Sequence, residues 1–202
     1  KIIFKTIEWI IRENYRLFFI NRNLVKDIKN SEPFVFFPLQ VNIESTLLIY
    51  APFFTNPLEQ ITNIVKSLPV GYKLYVKDHP LQNTRGWRDI EFYKNVMNLP
   101  NVKFIHHSVN SEEILKKSSL VITVNSTAGM EAALHKKPTI TLSDTLYSVL
   151  PSVYRLKNFE ELPKIIRSAL KITVNISDVN KFVNFIHKNS IDFNLQKFTM
   201  DA

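Results

Sequence analysis

The stretch "VITVNSTAGMEAALHKKP", residues 121–138, places a strand, a polar turn and a helix in immediate succession. Its apolar run ends at Asn125, Ser126 and Thr127, and the helix-forming segment that follows carries Glu131 one turn inside it. A short apolar run bounded by a turn predicts a buried strand, and the Ala- and Leu-rich segment after it predicts a helix. Because helices connect parallel strands, the stretch predicts one unit of an α/β fold.

The same alternation extends in both directions along the chain. We predict strands over 34–39, 72–77, 101–106, 120–124 and 138–142, and helices over 56–68, 87–98, 111–118, 127–136 and from 159 to about 187. Asn56 and Pro57 are suited to the cap and first position of the earliest of these helices. The order predicts an α/β fold, a Rossmann-like parallel sheet with helices on both faces.

We divide the chain into three segments: an N-terminal amphipathic helical segment (1–33), a Rossmann-like nucleotide-binding domain (34–175), and a C-terminal helix and tail (176–202). Charged residues interrupt the first segment every few positions, so it does not fit a membrane span or a cleavable signal peptide. Two interpretations remain. The helix packs on the domain, which we favour, or it lies on an anionic membrane surface through cations such as Lys5 and Arg12.

Composition limits the classes of function. The chain of 202 residues carries a net charge of +8, which suits nucleic acid, an anionic membrane or a phosphorylated small molecule. Its cations are dispersed and no nucleic-acid motif occurs, so we expect no nucleic-acid partner. The absence of Cys excludes disulfides and Cys-based zinc sites and suits a reducing compartment. We therefore expect a cytoplasmic protein, either free or peripheral on the inner face of the membrane, and, because the chain begins at Lys1, part of a longer polypeptide.

Ligands of doubly wound sheets bind beyond the carboxyl ends of the strands, which makes three polar loops candidates. They are residues 40–45, 77–80 and 125–129. None contains the glycine pattern of a dinucleotide fingerprint or a P-loop, so those two kinds of phosphate site are not predicted.

The third loop is suited to a phosphate and a ribose. If Ser126 or Thr127 caps the following helix, the N–H groups of residues 127–130 are available to an anion, and the small Gly129 leaves the approach open. Glu131 is placed to accept hydrogen bonds from ribose hydroxyls. The alternative is an ordinary capped helix with a solvated Glu131.

The second loop presents a cation and an imidazole together. Lys77 and His79 follow a strand, and Pro80 fixes the turn. Both side chains are suited to neutralising the charge that builds on a departing phosphate. The alternative is that His79 pairs with Asp78.

No metal site is predicted. His106 and His107 have no carboxylate partner at ligand spacing, and His135 lies near a helix end, where interaction with the helix dipole accounts for it.

Together the segments "FFPLQVNIES", "YVKDHPLQ" and "NSEEILKKSSLVITVNSTAGMEAALHKKPTITL", followed by Tyr147, resemble the bacterial capsule polysaccharide biosynthesis family, which includes the capsule Kdo transferases. The resemblance runs from about residue 34 to about residue 170, in the same order along the chain. It implies a GT-B glycosyltransferase, with this chain similar to the C-terminal, nucleotide-binding half.

The resemblance also assigns roles to residues. It implies a catalytic role for His79 in holding the leaving nucleotide phosphate, and a Gln40 that belongs to a Pro-Leu-Gln loop followed by Glu44 and Ser45. The nucleotide- and phosphate-binding residues that it implies are Lys77, His79, Pro80, Ser126, Thr127, Glu131 and Gln40.

The function implied is a glycosyltransferase domain in capsule or surface polysaccharide synthesis, with CMP-Kdo or another CMP-sugar as donor and a glycan or glycolipid as acceptor. No cofactor or metal is expected, and the catalytic base would come from another domain. Two alternatives stay open: half of a CDP-polyol phosphotransferase, since teichoic-acid polymerases have similar motifs, and a non-catalytic docking domain.

This chain departs from the family pattern at two positions. Lys136 and Ser143 stand where relatives often carry glycine, which predicts the loss of a glycine cap at the end of the helix.

Overall fold

A computed structural model describes residues 2–28, 32–41, 49 and 51–191. Its sheet has six parallel strands in the order β3-β2-β1-β4-β5-β6. The strands are β1 Phe34–Pro38, β2 Lys73–Lys77, β3 Val102–Ile105, β4 Leu120–Thr123, β5 Thr139–Thr141 and β6 Val153–Arg155. The order reverses between β1 and β4, where Val35 is in register with Leu120. This confirms the predicted Rossmann-like fold and puts its topological switch point at the centre of the sheet.

The helices largely follow the prediction. They are α1 Ile2–Asn23, α2 Pro57–Ser67, α3 Ile90–Met97, α4 Ser111–Lys117, α5 Ala128–Leu134, α6 Leu162–Ala169 and α7 Ile176–Asn189. Short 3-10 helices span Pro52–Phe54, Pro80–Arg85, Leu146–Val149 and Phe159–Glu161. The tail predicted to be helical from 159 to about 187 contains two helices, α6 and α7. The second begins after Asn175, which accepts a hydrogen bond from the Ser177 N–H.

The sheet is buried on both faces, as the unbroken apolar run of β1 predicts. Val35 and Phe37 belong to one core cluster, with α2, α3, α6 and the end of α1, whereas Phe34 and Phe36 belong to a second, with α4 and α5. Alternate residues of a strand face opposite sides of a sheet, so a run of large apolar residues needs helices on both. A third cluster joins α7 to α5 and β6 through residues such as Val179.

Only the end of α1 packs on the domain. Ile20 and Leu24 are buried, and Arg16 forms ion pairs with Glu13 and Asp89. The helix up to Phe18 leaves large apolar side chains exposed: Phe4, Ile7, Trp9, Ile10, Ile11, Tyr15 and Phe18. The packing interpretation therefore holds for the end of the helix only. Within the described ranges, no helix combines the length and hydropathy that crossing a membrane requires.

Candidate functional site

The loops after β2 and β4 meet at the switch point and enclose a cavity of about 170 Å³, which we call the switch-point cavity. It brings together six side chains that the sequence analysis singled out: Lys77, His79, Pro80, Ser126, Thr127 and Glu131. These residues are far apart along the chain, and the reversal of strand order places them side by side.

Gln40 is not among the residues that line this cavity. It lines a small neighbouring cavity of about 20 Å³, together with Arg88. Its side-chain Oε1 is buried without a hydrogen-bond partner, and its carbonyl oxygen accepts a hydrogen bond from Arg88 Nη2 at 2.5 Å. The Glu44 and Ser45 of the same predicted loop lie outside the described residues.

His79 is held in one orientation by its own backbone. Its Nδ1 accepts a hydrogen bond from the Leu81 N–H at 3.1 Å and so caps the 3-10 helix Pro80–Arg85. A residue that precedes a proline favours an extended backbone, and His79, which precedes Pro80, is extended with ψ 141°. Because Nδ1 is an acceptor, the neutral ring carries its proton on Nε2, which is then available as a donor to a ligand.

Asp78 does not pair with His79, so that alternative is wrong. Its buried carboxylate accepts hydrogen bonds from Arg88 Nε and from the Tyr93 hydroxyl, each at 2.7 Å. Burial, followed by the charge of Asp78, raises the pKa of Tyr93, which keeps that hydroxyl protonated. Since Arg88 also holds the Gln40 carbonyl, this network ties the loop after β1 to the loop after β2.

Lys77 is a buried cation in the wall of the cavity. Only 3% of it is exposed, and its Nζ donates a hydrogen bond to the Ser111 hydroxyl at 2.7 Å. Burial lowers the pKa of Lys77, and the neighbouring Asp78 opposes this effect. An incompletely solvated ammonium gains more from an anionic ligand than an exposed lysine does.

The turn after β4 already uses part of its backbone. The Ala128 N–H donates to the Ser126 hydroxyl and the Gly129 N–H to the Ser126 carbonyl, at 3.2 and 3.1 Å. The expectation that the N–H groups of residues 127–130 are all available to an anion is therefore wrong. The exposed pair Thr127 and Glu131, joined by a 3.0 Å hydrogen bond, presents side-chain oxygens instead.

The role predicted for Gly129 is also wrong. A Cβ built on this residue would come within 2.5 Å of the Tyr147 hydroxyl oxygen. That hydroxyl donates to the Ser126 carbonyl at 2.6 Å. Gly129 thus makes room for the Tyr147 ring, not for a ligand, and Tyr147 holds the turn from behind.

His106, which follows β3 at the sheet edge, has structural partners. His106 is buried, and its two ring nitrogens lie 2.7 Å from the Ser108 hydroxyl and 2.8 Å from Asn21 Oδ1. Burial and the neighbouring cationic groups lower the pKa of His106 to about 4, so it is neutral at pH 7. The residues that the structure describes contain no group of three or more His, Asp or Glu arranged to hold a metal.

Arg88, Tyr93 and Ser111 support the cavity from the sides, and none of them was predicted from the sequence. Arg88 lies in the loop before α3, Tyr93 inside α3 and Ser111 at the first position of α4. No local pattern distinguished them, because their partners lie on other loops.

Comparisons with known proteins agree with this architecture. The family described as "Capsule polysaccharide biosynthesis protein" matches residues 9–151. Protein FixF of Sinorhizobium fredii is 30% identical over 129 residues, which is 60% of this chain and 29% of that protein.

Solved structures give the same fold at low identity. The β-Kdo 2,7-transferase of Thermosulfurimonas dismutans KpsC superposes with a TM-score of 0.52 at 17% identity, over 83% of this chain and 50% of that one. The UDP-GlcNAc 2-epimerase of Methanocaldococcus jannaschii gives 0.51 at 17% identity, over 88% and 49%. The chain spans half or less of these proteins, and a transferase and an epimerase share its fold, so the fold alone does not identify the reaction.

Proposed function

The chain belongs to the capsule polysaccharide biosynthesis protein family, and from this membership we propose that it binds the donor nucleotide of a glycosyltransferase. The observation that carries the proposal is the switch-point cavity, in which Lys77, His79 and Glu131 line one space. A buried cation and an imidazole N–H are complementary to a phosphate. The Glu131 carboxylate, one helical turn after Thr127, is complementary to the paired hydroxyls of a ribose.

In the proposed reaction, an acceptor hydroxyl attacks the anomeric carbon of the donor sugar and the bond to the nucleotide phosphate breaks. The leaving phosphate gains negative charge at this step. His79 Nε2–H and the Lys77 ammonium stabilise that charge, because both are held in place before the reaction begins. The attacking hydroxyl loses its proton to a base from another part of the full protein.

The donor we propose is a CMP-linked sugar, with CMP-Kdo first among them. Support comes from the resemblance of the chain to a family that includes the capsule Kdo transferases, and from its likeness in fold to KpsC. The acceptor we propose is a glycan or glycolipid of the cell surface.

The test is a calorimetric titration of the chain with CMP, CDP, UDP and GDP. We expect selective binding of a cytidine nucleotide. Replacing His79 by Ala removes a hydrogen bond to a charged group, which should weaken binding by roughly ten- to a hundredfold. Glu131→Gln should weaken the binding of a nucleotide but not that of inorganic phosphate, because we assign the carboxylate to the ribose hydroxyls.

Three control variants separate binding from folding. His79→Asn keeps an acceptor for the Leu81 N–H but has no donor at the position of Nε2, so it should bind as poorly as His79→Ala. His135→Ala and Glu113→Gln remove the same chemical groups outside the cavity and should bind as the parent does. Equal affinity for CMP in all these proteins would refute the proposal.

A further inference from the structure

A second and larger cavity lies on the other side of the Ser126–Thr127 turn. Its volume is about 580 Å³, and it lies between the 3-10 helix Leu146–Val149 and α7. Ser126 and Thr127 line both this outer cavity and the switch-point cavity. A phosphate bound at this turn would therefore border both cavities, and the groups on either side of it could extend one into each.

The walls of the outer cavity are mainly apolar: Met130, Leu146, Tyr147, Phe182, Val183 and Ile186. Its other described lining residues carry amide, hydroxyl and imidazole groups, and none is Asp, Glu, Lys or Arg. In the switch-point cavity, by contrast, Lys77, Asp78 and Glu131 are charged. The two cavities thus suit opposite parts of a ligand, one ionic and one uncharged.

The apolar surface continues to the rim. Leu146 is 71% exposed and Val183 37% exposed, and both line the outer cavity. A sugar laid against these walls would lose hydrogen bonds to water without replacing them, whereas a hydrocarbon chain would lose none. Exposed apolar side chains that border a concave site are typical of ligand binding.

We propose that the outer cavity binds the aliphatic chain of a glycolipid acceptor. The proposal rests on the proposed function, because the shared turn would hold the donor phosphate next to the acceptor's head group. The cavity then does two things: it anchors the lipid and it brings the reacting hydroxyl to the sugar-phosphate bond.

The probe for this site is octyl β-D-glucopyranoside, used below its micelle-forming concentration and followed by saturation-transfer NMR. We expect the octyl protons to receive saturation from the protein, with glucose alone giving no such signal. Leu146→Gln and Val183→Asn place polar groups in the wall and should weaken binding about fivefold each.

Two matched variants serve as controls. Val149→Gln lies on the same 3-10 helix as Leu146, and Phe185→Gln lies on α7 with Val183. Val149 is 75% exposed and Phe185 63% exposed, and neither lines the outer cavity. Both should bind the probe as the parent does.

Absence of probe binding, or an equal loss in all four variants, would overturn the proposal. A CMP titration of the same four proteins keeps the two hypotheses apart. In the parent protein, absence of probe binding with intact CMP binding refutes the lipid site alone. Absence of CMP binding with intact probe binding refutes the proposed function, and with it the acceptor role of an apolar site that still binds the probe.

Discussion

Gly129 determines how closely the turn after β4 approaches the ring of Tyr147. The aromatic ring takes the space that a side chain would fill, and its hydroxyl reaches the Ser126 carbonyl at 2.6 Å. Burial raises the pKa of Tyr147 to about 12, so this donor keeps its proton throughout the physiological range. One glycine and one tyrosine therefore fix the position of the Ser126–Thr127 turn, which borders the switch-point cavity.

At this scale we predict that Gly129→Ala destabilises the protein by about 1–3 kcal/mol, the usual cost of overpacking. The new methyl group meets the Tyr147 ring, so the pair should be coupled. Chemical denaturation of Gly129→Ala, Tyr147→Leu and the double variant measures this. The double variant should lose less free energy of unfolding than the two single variants together. If the two losses simply add, the predicted contact is contradicted.

The residue scale also shows how much of the candidate site could be predicted. Lys77, His79 and Glu131 were found because each follows a strand or a capped turn, and strand ends converge in a parallel sheet. Arg88 was not found, since its partners Asp78 and Gln40 lie on two other loops and only the folded chain brings the three together.

Helix α5 ends in a left-handed residue, a conformation that glycine usually supplies, although the residue here is Lys136. Lys136 has φ 58°, its N–H donates to the Ala133 carbonyl, and the Lys137 N–H reaches the Ala132 carbonyl at 2.8 Å. The expectation that the cap is lost is wrong, because the surrounding hydrogen bonds hold a lysine in the left-handed conformation. Ser143 likewise fits its position, donating to the Val124 carbonyl at 2.9 Å.

We predict that Lys136→Gly stabilises the protein by about 0.5–1 kcal/mol. Glycine removes the strain of a side chain in the left-handed conformation, and this gain exceeds the cost of a more flexible unfolded chain. Urea denaturation checks the sign. Lys137→Gly is the matched control: its φ is not positive, so only the entropic cost applies and stability should fall. Destabilisation by both variants would mean that Lys136 is unstrained.

Elements with strong local signals were predicted correctly, and elements without them were not. The Asn56 cap of α2 is present, with its side chain accepting from the Leu58 and Glu59 N–H groups. Strand β6 was missed because, unlike the fully buried β5, it has only one buried residue, Val153, and so shows no apolar run. It is held by pairing with β5, which is a tertiary contact.

Across the whole molecule, the sheet and its helices form one unit, but half of α1 extends from it. This half exposes apolar side chains next to Lys5 and Arg12, a combination that binds anionic membrane surfaces. We predict that this part of α1 binds a membrane surface with anionic headgroups.

The prediction is that the chain co-sediments with vesicles containing anionic lipid and less so with neutral ones. Ile7→Gln combined with Ile11→Gln removes two apolar groups from one face of the helix and should release most of the bound protein. Val70→Gln, a fully exposed apolar position in a turn, is the control. Equal binding by all three proteins would contradict an anchoring role for α1.

The central position of β1 has a consequence for how the chain is made. β1 lies between β2 and β4, and β4 does not begin until Leu120. When only the first three strands have left the ribosome, β1 is therefore an edge strand, and the side that will pair with β4 is still open. Open edges invite pairing with other chains, so this nascent protein is most vulnerable to aggregation until residue 123 emerges.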